Sequence, residues 1–185
     1  MANRTILGIC GSLRSKSYNR SALQAAGEVL PEGMTLRIAD YRQIPLYDHD
    51  LESLGMPSAV LQLAQEIRSA DALVIASPEY NFSISGVLKN AIDWLSRVPD
   101  QPFKDKPVAL MSASLGPVGG ARHQYEVRKI LGCLEALVMP KPEVFINLCQ
   151  PKFDADGRLV DAAARKAVAD QMQALGRWTG RLLGE

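Results

Sequence analysis

Short apolar runs without polar alternation recur along this chain, and nearly every one is followed by a segment whose apolar residues repeat at helical spacing. The runs are Thr5–Cys10, Thr35–Ile38, Ala72–Ala76, Val108–Met111 and Val144–Ile146. Their length and the glycines and prolines that bound them read as strands. Ala22, Leu23, Ala26, Val29 and Leu30 mark a helix from Asn19, stopped by Pro31. Further helices are predicted from Ser58 to about Ile67, Val87 to Val98, Ala121 to Leu137 and Asp161 to Leu183. The stretch from Asp40 to Pro57 is broken by Pro45, Gly55 and Pro57 and reads as irregular. A strand apolar at every position is buried on both faces, so helices must cover a parallel sheet above and below. Right-handed crossovers then give a doubly wound α/β fold, with ligands beyond the carboxyl ends of the strands. The loops after the first, third and fourth strands are therefore where function is sought. No repeat or linker divides residues 1–185, which read as one domain.

Composition excludes several classes. Twenty-one Lys and Arg stand against 20 Asp and Glu, a formal charge of +1. A general nucleic-acid binder needs a surplus of cations, and an acidic electron carrier the reverse. No apolar stretch approaches the roughly 20 residues of a membrane span. Cys10, Cys133 and Cys149 are odd in number and lack metal-ligand spacing, which suits a reducing cytoplasm.

Gly11-Ser12-Leu13-Arg14-Ser15-Lys16-Ser17-Tyr18-Asn19 joins the first strand to the first helix. A helix N-terminus with unpaired N–H groups, hydroxyls and a guanidinium suits a phosphate. The alternative is that Ser17 or Asn19 only caps the helix. The dinucleotide pattern G-x-G-x-x-G and the ATP loop are both absent, so a terminal phosphate such as that of FMN fits better. A cysteine phosphatase would need an arginine where Lys16 stands, and Cys10 ends a buried strand.

After the third strand, Ser77-Pro78-Glu79-Tyr80-Asn81-Phe82-Ser83 offers aromatics and backbone groups to a planar heterocycle. The alternative is aromatics that merely close the core. Ser112-Ala113-Ser114-Leu115-Gly116-Pro117-Val118-Gly119-Gly120 follows the fourth strand with small residues that let a ring approach. Gly119 and Gly120 leave room for a second planar molecule or shape the next helix start. Arg122 offers a cation to an anionic substrate, or pairs with Glu126 one turn on. No calcium loop, serine-hydrolase elbow or metal cluster is read.

Gly11-Ser12-Leu13-Arg14 with Ser17 and Asn19, Pro78-Glu79-Tyr80-Asn81, and Gly86-Val87-Leu88-Lys89-Asn90-Ala91-Ile92-Asp93-Trp94 together resemble the NADPH-dependent FMN reductases. Within them the chain is most similar to the bacterial quinone and chromate reductase branch, over residues 5–150. The resemblance implies a flavodoxin-like three-layer sandwich with strand order 2-1-3-4-5 and noncovalent FMN. It implies that Ser12, Leu13, Arg14, Ser17, Tyr18 and Asn19 hold the phosphate and ribityl end. Pro78, Glu79, Tyr80 and Asn81 would line the ring, flanked by Ala113 and Ser114. Ala113 stands where relatives can carry a hydroxyl. Arg122, Tyr125 and Glu143 would lie at a subunit interface beside the flavin, in a homodimer or homotetramer. The implied activity is ping-pong transfer from NADPH or NADH through FMN to quinones, flavin, azo compounds or chromate. FMN carries the chemistry, so no catalytic side chain is expected. The alternatives are a flavodoxin-like electron carrier and a flavin-binding protein without turnover.

Overall fold

The five apolar runs form the sheet, in a computed structural model that describes residues 3–184. Strand β1 (Arg4–Cys10) pairs in parallel with β2 (Met34–Ile38) on one side and β3 (Ala72–Ala76) on the other. Strand β4 (Pro107–Ala113) follows β3, also parallel. Ile6 and Cys10 of β1 fall in one core and Leu7 and Ile9 in the other, because side chains along a strand point alternately to opposite faces.

Helices α1 (Tyr18–Glu28) and α6 (Ala162–Leu182) cover one face, with Leu23, Ala26, Val168, Met172 and Leu175 inside. Helices α3 (Ser58–Ser69), α4 (Gly86–Leu95) and α5 (Ala121–Cys133) cover the other, burying Val60, Leu63, Ile67, Leu88, Trp94, Val127 and Leu131. At about 1.5–3 kcal/mol for each large side chain fully buried, these two layers supply the main driving force for folding. Asp161 caps α6 by accepting from the Ala164 N–H at 2.8 Å, so that helix begins where the sequence places it.

Two features depart from the sequence reading. The predicted helix to Leu137 stops at Cys133. Glu135 turns left-handed at φ 60°, and the Glu135 and Ala136 N–H groups donate to the Gly132 and Leu131 carbonyls at 3.2 and 3.0 Å. These bonds close the helix as a Schellman turn. Leu137–Val138 then forms strand β5 on Pro107 and Val108 of β4. Val144–Ile146, β6, pairs with the distal half of β4 from Met111 to Ala113. The fifth strand position is thus shared by two short segments. The sheet order is β2-β1-β3-β4-β5, with β6 also on β4, which is the flavodoxin-like arrangement.

The second departure is helix α2 (His49–Ser53), inside the stretch read as irregular. That stretch is held by α4. The Asn90 amide donates to the Pro45 carbonyl and accepts from the Tyr47 N–H, both at 2.8 Å, and the Trp94 Nε1–H also donates to the Pro45 carbonyl at 2.9 Å.

Candidate active site

Strands β1, β3 and β4 end side by side, and the turns beyond them meet. Gly11 leaves β1 so close to the β3 turn that a Cβ there would lie 2.1 Å from the Ser77 Oγ. Only glycine lets the two turns pass. The Ser85 hydroxyl donates to the Gly11 carbonyl at 2.6 Å and accepts from the Leu88 N–H at 3.4 Å, so one buried side chain fixes the first turn and caps α4.

The first turn is a set of donors. Ser17 caps α1, its hydroxyl accepting from the Arg20 N–H at 3.4 Å. Among the described residues, nothing accepts from the backbone N–H groups of Ser17, Tyr18 or Asn19. The Arg14 guanidinium lies 5.3 Å from the centre of the Tyr18 ring, which packs on Phe153 at 4.9 Å. Both sequence alternatives for this turn hold at once: Ser17 caps the helix and the turn still presents free donors. Asn19 does something else. Its amide donates to the Ala113 carbonyl at 3.0 Å and accepts from the Ala113 N–H at 2.8 Å, tying the start of α1 to the end of β4. Its side chain therefore sets the width of the site rather than reaching a phosphate.

The turn after β3 is a two-residue reversal. Tyr80 and Ser83 exchange backbone hydrogen bonds at 3.1 and 3.0 Å, with Asn81 and Phe82 at φ 50° and 65°. A bulky residue in the left-handed region is strained, and Phe82 is held there while 67% exposed. The Arg122 guanidinium stacks on it at 4.2 Å. Glu79 closes the assembly: one carboxylate oxygen pairs with Arg122 at 3.1 Å, and the other accepts from the Arg122 and His123 N–H groups at 3.0 and 3.3 Å. Glu79 thereby caps α5, whose N-cap residue, Gly120, has no side chain. Glu126, the partner considered from sequence for Arg122, pairs instead with Lys129 at 2.9 Å.

Gly119 and Gly120, at φ 63° and 84°, shape the helix start. A Cβ on either would lie 2.9 Å from Phe145 or Ser112, so they leave no room for a second molecule. Arg122, Tyr125 and Glu143 do not form one cluster. Arg122 belongs to Glu79 and Phe82, whereas Glu143 pairs with Lys141 and stands 3.9 Å from Arg128. The Lys141 ammonium, and after it Tyr125 and Arg128, hold the Glu143 carboxyl below the usual range against the opposing effect of partial burial.

These turns enclose an open cleft of about 270 Å³. Every cofactor residue predicted from sequence lines it except Leu13 and Asn81. Leu13 faces a neighbouring apolar hollow with Tyr41 and Leu46. Asn81 sits at the tip of its reversal. Leu115 and Cys149 line the cleft without having been singled out. Leu115 stands in a loop read for its small residues, and Cys149 follows the last strand with no motif to mark it. Burial raises both the Cys10 and Cys149 thiols, more than the neighbouring cations and hydrogen bonds lower them, so neither is a nucleophile at neutral pH.

The residues present fit FMN: free N–H groups, the Ser12 hydroxyl and Arg14 suit a phosphate dianion, and Pro78, Tyr80, Ala113 and Leu115 suit a planar ring. Fold and cleft together define a flavodoxin-like, flavin-binding protein. Residues 4–150 match the family of NADPH-dependent FMN reductases. An NAD(P)H-dependent FMN reductase of Pseudomonas aeruginosa is 52% identical over 97% of both chains. A quinone reductase of Escherichia coli is 42% identical over 96% of both. Among solved structures, the flavoenzyme NAD(P)H:(acceptor) oxidoreductase of Paracoccus denitrificans superposes with a TM-score of 0.86 at 30% identity, over 96% of this chain and 98% of its own. The chain belongs to the NADPH-dependent FMN reductase family. It is an oxidoreductase, with FMN as cofactor and NAD(P)H as reductant.

Proposed function

We propose that this protein is a quinone reductase, taking hydride from NAD(P)H onto FMN and passing electrons to quinones and to other acceptors such as flavin, azo compounds or chromate. The observation that carries this reading is the open cleft at the strand ends, with donors at one end and an exposed aromatic lip at the other. Bound FMN supplies the redox chemistry. The chain's own residues bind and orient. Ser12, Arg14, Ser17 and the N–H groups of Tyr18 and Asn19 hold the phosphate, and Leu13 covers the turn. Pro78, Glu79 and Tyr80, with Asn81 at the reversal, flank the ring from one side. Ala113, Ser114 and Leu115 flank it from the other.

The lip, with Tyr80 and Phe82 54% and 67% exposed, gives the two substrates one shared platform to occupy in turn. This supports a ping-pong order. The same exposed residues, with Val118 and Tyr125 on the next loop and helix, support a homodimer or homotetramer formed at this rim, where Tyr125 and Glu143 lie. Three free cysteines support a reducing cytoplasm as its setting, and one continuous sheet supports a single domain over residues 1–185. No helix among the described residues is long and apolar enough to cross a membrane.

Anaerobic addition of NADPH to the FMN-loaded protein tests the reading. Absorbance at about 450 nm, the flavin band, falls within seconds and returns on adding a benzoquinone. A spectrum that NADPH and NADH both leave unchanged overturns it. Initial rates over a grid of both substrates give parallel double-reciprocal lines, and intersecting lines refute the ping-pong order.

A further inference from the structure

Two of the residues lining the cleft are charged, Arg14 and Glu79. Arg14 stands with the N–H groups at the start of α1, where it answers the flavin phosphate. The charge left at the ring end is a carboxylate. The Glu79 side chain is held away from water at 10% exposed, whereas the Arg122 guanidinium beside it is 48% exposed. One Glu79 oxygen accepts from Arg122 Nη1 at 3.1 Å, and the other from the Arg122 and His123 backbone N–H groups at 3.0 and 3.3 Å. The guanidinium is thus fixed on two sides, by Glu79 and by the Phe82 ring at 4.2 Å. Lys152, whose charge reaches the cleft wall at Cys149, does not line the cleft and donates to the Asn147 amide at 3.0 Å.

An exposed guanidinium at the mouth of a cleft draws anions in, and low-dielectric walls strengthen that pull. A carboxylate 3.1 Å from the guanidinium cancels most of its field at the distance of an entering acceptor. The phosphate of bound FMN, a dianion against the single charge of Arg14, adds to the negative side. A neutral planar molecule meets no such obstacle, because the exposed Tyr80, Phe82 and Leu115 side chains give it an apolar surface to lie on.

We propose that Glu79 sets acceptor selectivity, by neutralising Arg122 so that the cleft favours uncharged quinones over anionic acceptors. The proposal rests on the reading above, in which electrons pass to an acceptor in this cleft. It ranks the acceptors named there, with quinones ahead of chromate and flavin phosphates. The net reaction is unchanged: NAD(P)H and one proton convert a quinone to its hydroquinone, with release of NAD(P)+. Arg122 is then the partner of a buried carboxylate rather than a seat for anions.

The test uses FMN-loaded protein reduced anaerobically with one equivalent of dithionite and mixed in a stopped-flow instrument with 1,4-naphthoquinone or its 2-sulfonate. The two quinones share a ring system and differ by one negative charge. The ratio of their reoxidation rate constants, sulfonate over neutral, is insensitive to damage that a substitution does to the fold or to flavin loading. Glu79→Gln keeps an oxygen for the α5 N–H groups and leaves Arg122 unanswered, so the ratio rises about fivefold. Arg122→Gln leaves Glu79 unanswered, and the ratio falls about fivefold. The double variant restores the balance and returns to within about twofold of wild type, whereas an anion seat at Arg122 would leave it as low as Arg122→Gln. Calorimetric titration of the oxidised protein with naphthalene-2-sulfonate and 2-naphthol, which take no electrons, gives the same order in affinity. Any other order overturns the proposal. Salt supplies a check on the wild-type protein alone, independent of whether Glu79→Gln loads with FMN. From about 0.01 M to 1 M salt the Debye length shrinks from about 30 to 3 Å, and the wild-type ratio does not fall. A fall shows that Arg122 draws anions in and overturns the proposal. If the underlying reading fails, the reduced wild-type protein is reoxidised by neither naphthoquinone.

Discussion

Replacing Asn19 with alanine removes two buried hydrogen bonds that join α1 to the end of β4. The amide and its partner, the Ala113 backbone, are each 3% exposed, so solvent does not replace what is lost. An unsatisfied buried donor or acceptor costs about 1–3 kcal/mol, and here one of each is created. A loss of about 3 kcal/mol follows, taking the lower part of each range. For a domain of this size each kcal/mol lowers Tm by about 2–4 °C, so Asn19→Ala melts about 6–12 °C below wild type. The same change loosens the spacing between the phosphate turn and the Ala113 wall, so FMN binds about tenfold more weakly. Asn19→Asp separates the two effects. It keeps an acceptor for the Ala113 N–H but sets a negative charge at the phosphate seat, so it weakens FMN binding further than alanine does. Thermal unfolding followed by circular dichroism on the apoprotein reads the first effect, and quenching of FMN fluorescence reads the second. An alanine variant that melts within 2 °C of wild type and binds FMN equally refutes the clamp.

Arg14→Ala purifies with little FMN, read from the ratio of flavin to protein absorbance; full occupancy would remove Arg14 from the phosphate seat. Gly120→Ala loses about 2–3 kcal/mol in denaturant unfolding, because φ 84° is strained for alanine and the new Cβ meets Ser112 at 2.9 Å. The pH dependence of stability carries a contribution from His123. Burial lowers its pKa below the ordinary 6.5, against the raising effects of its bond to the Gly120 carbonyl and of Glu79. The unfolded chain therefore binds the proton first, and stability present above pH 6.5 falls as pH drops through and below that value. His123→Asn, which keeps a donor for Gly120, flattens that fall in urea titrations between pH 7 and pH 5; an unchanged slope refutes the assignment.

Strand and helix periods, with the punctuation at Gly11, Pro31, Pro78 and Pro99, carry most of the fold in local sequence. The misplaced end of α5 shows where local reading stops. Leu134, Leu137 and Val138 continue a helical apolar pattern, and no glycine or proline lies between Cys133 and Val138. What ends the helix is Glu135, accepted in a left-handed conformation because β4 offers Leu137 and Val138 an edge to pair with. Its carboxylate also meets Lys104 at 3.0 Å. Helix α2 was invisible for a related reason: its stretch is held by Asn90 and Trp94 of α4, some 40 residues away.

The site divides in the same way. That a phosphate-accepting turn follows β1 is legible in Gly11 to Asn19, because N–H groups at a helix start are free in any such turn. Which side chains remain available there was settled by partners distant in sequence. Asn19 is engaged by Ala113, and Arg122 by Glu79 rather than by its helical neighbour. Periodicity and turn chemistry act over a few residues and so are written in the chain itself, whereas hydrogen bonding and charge pairing are decided by whatever the finished sheet order brings within 3 Å.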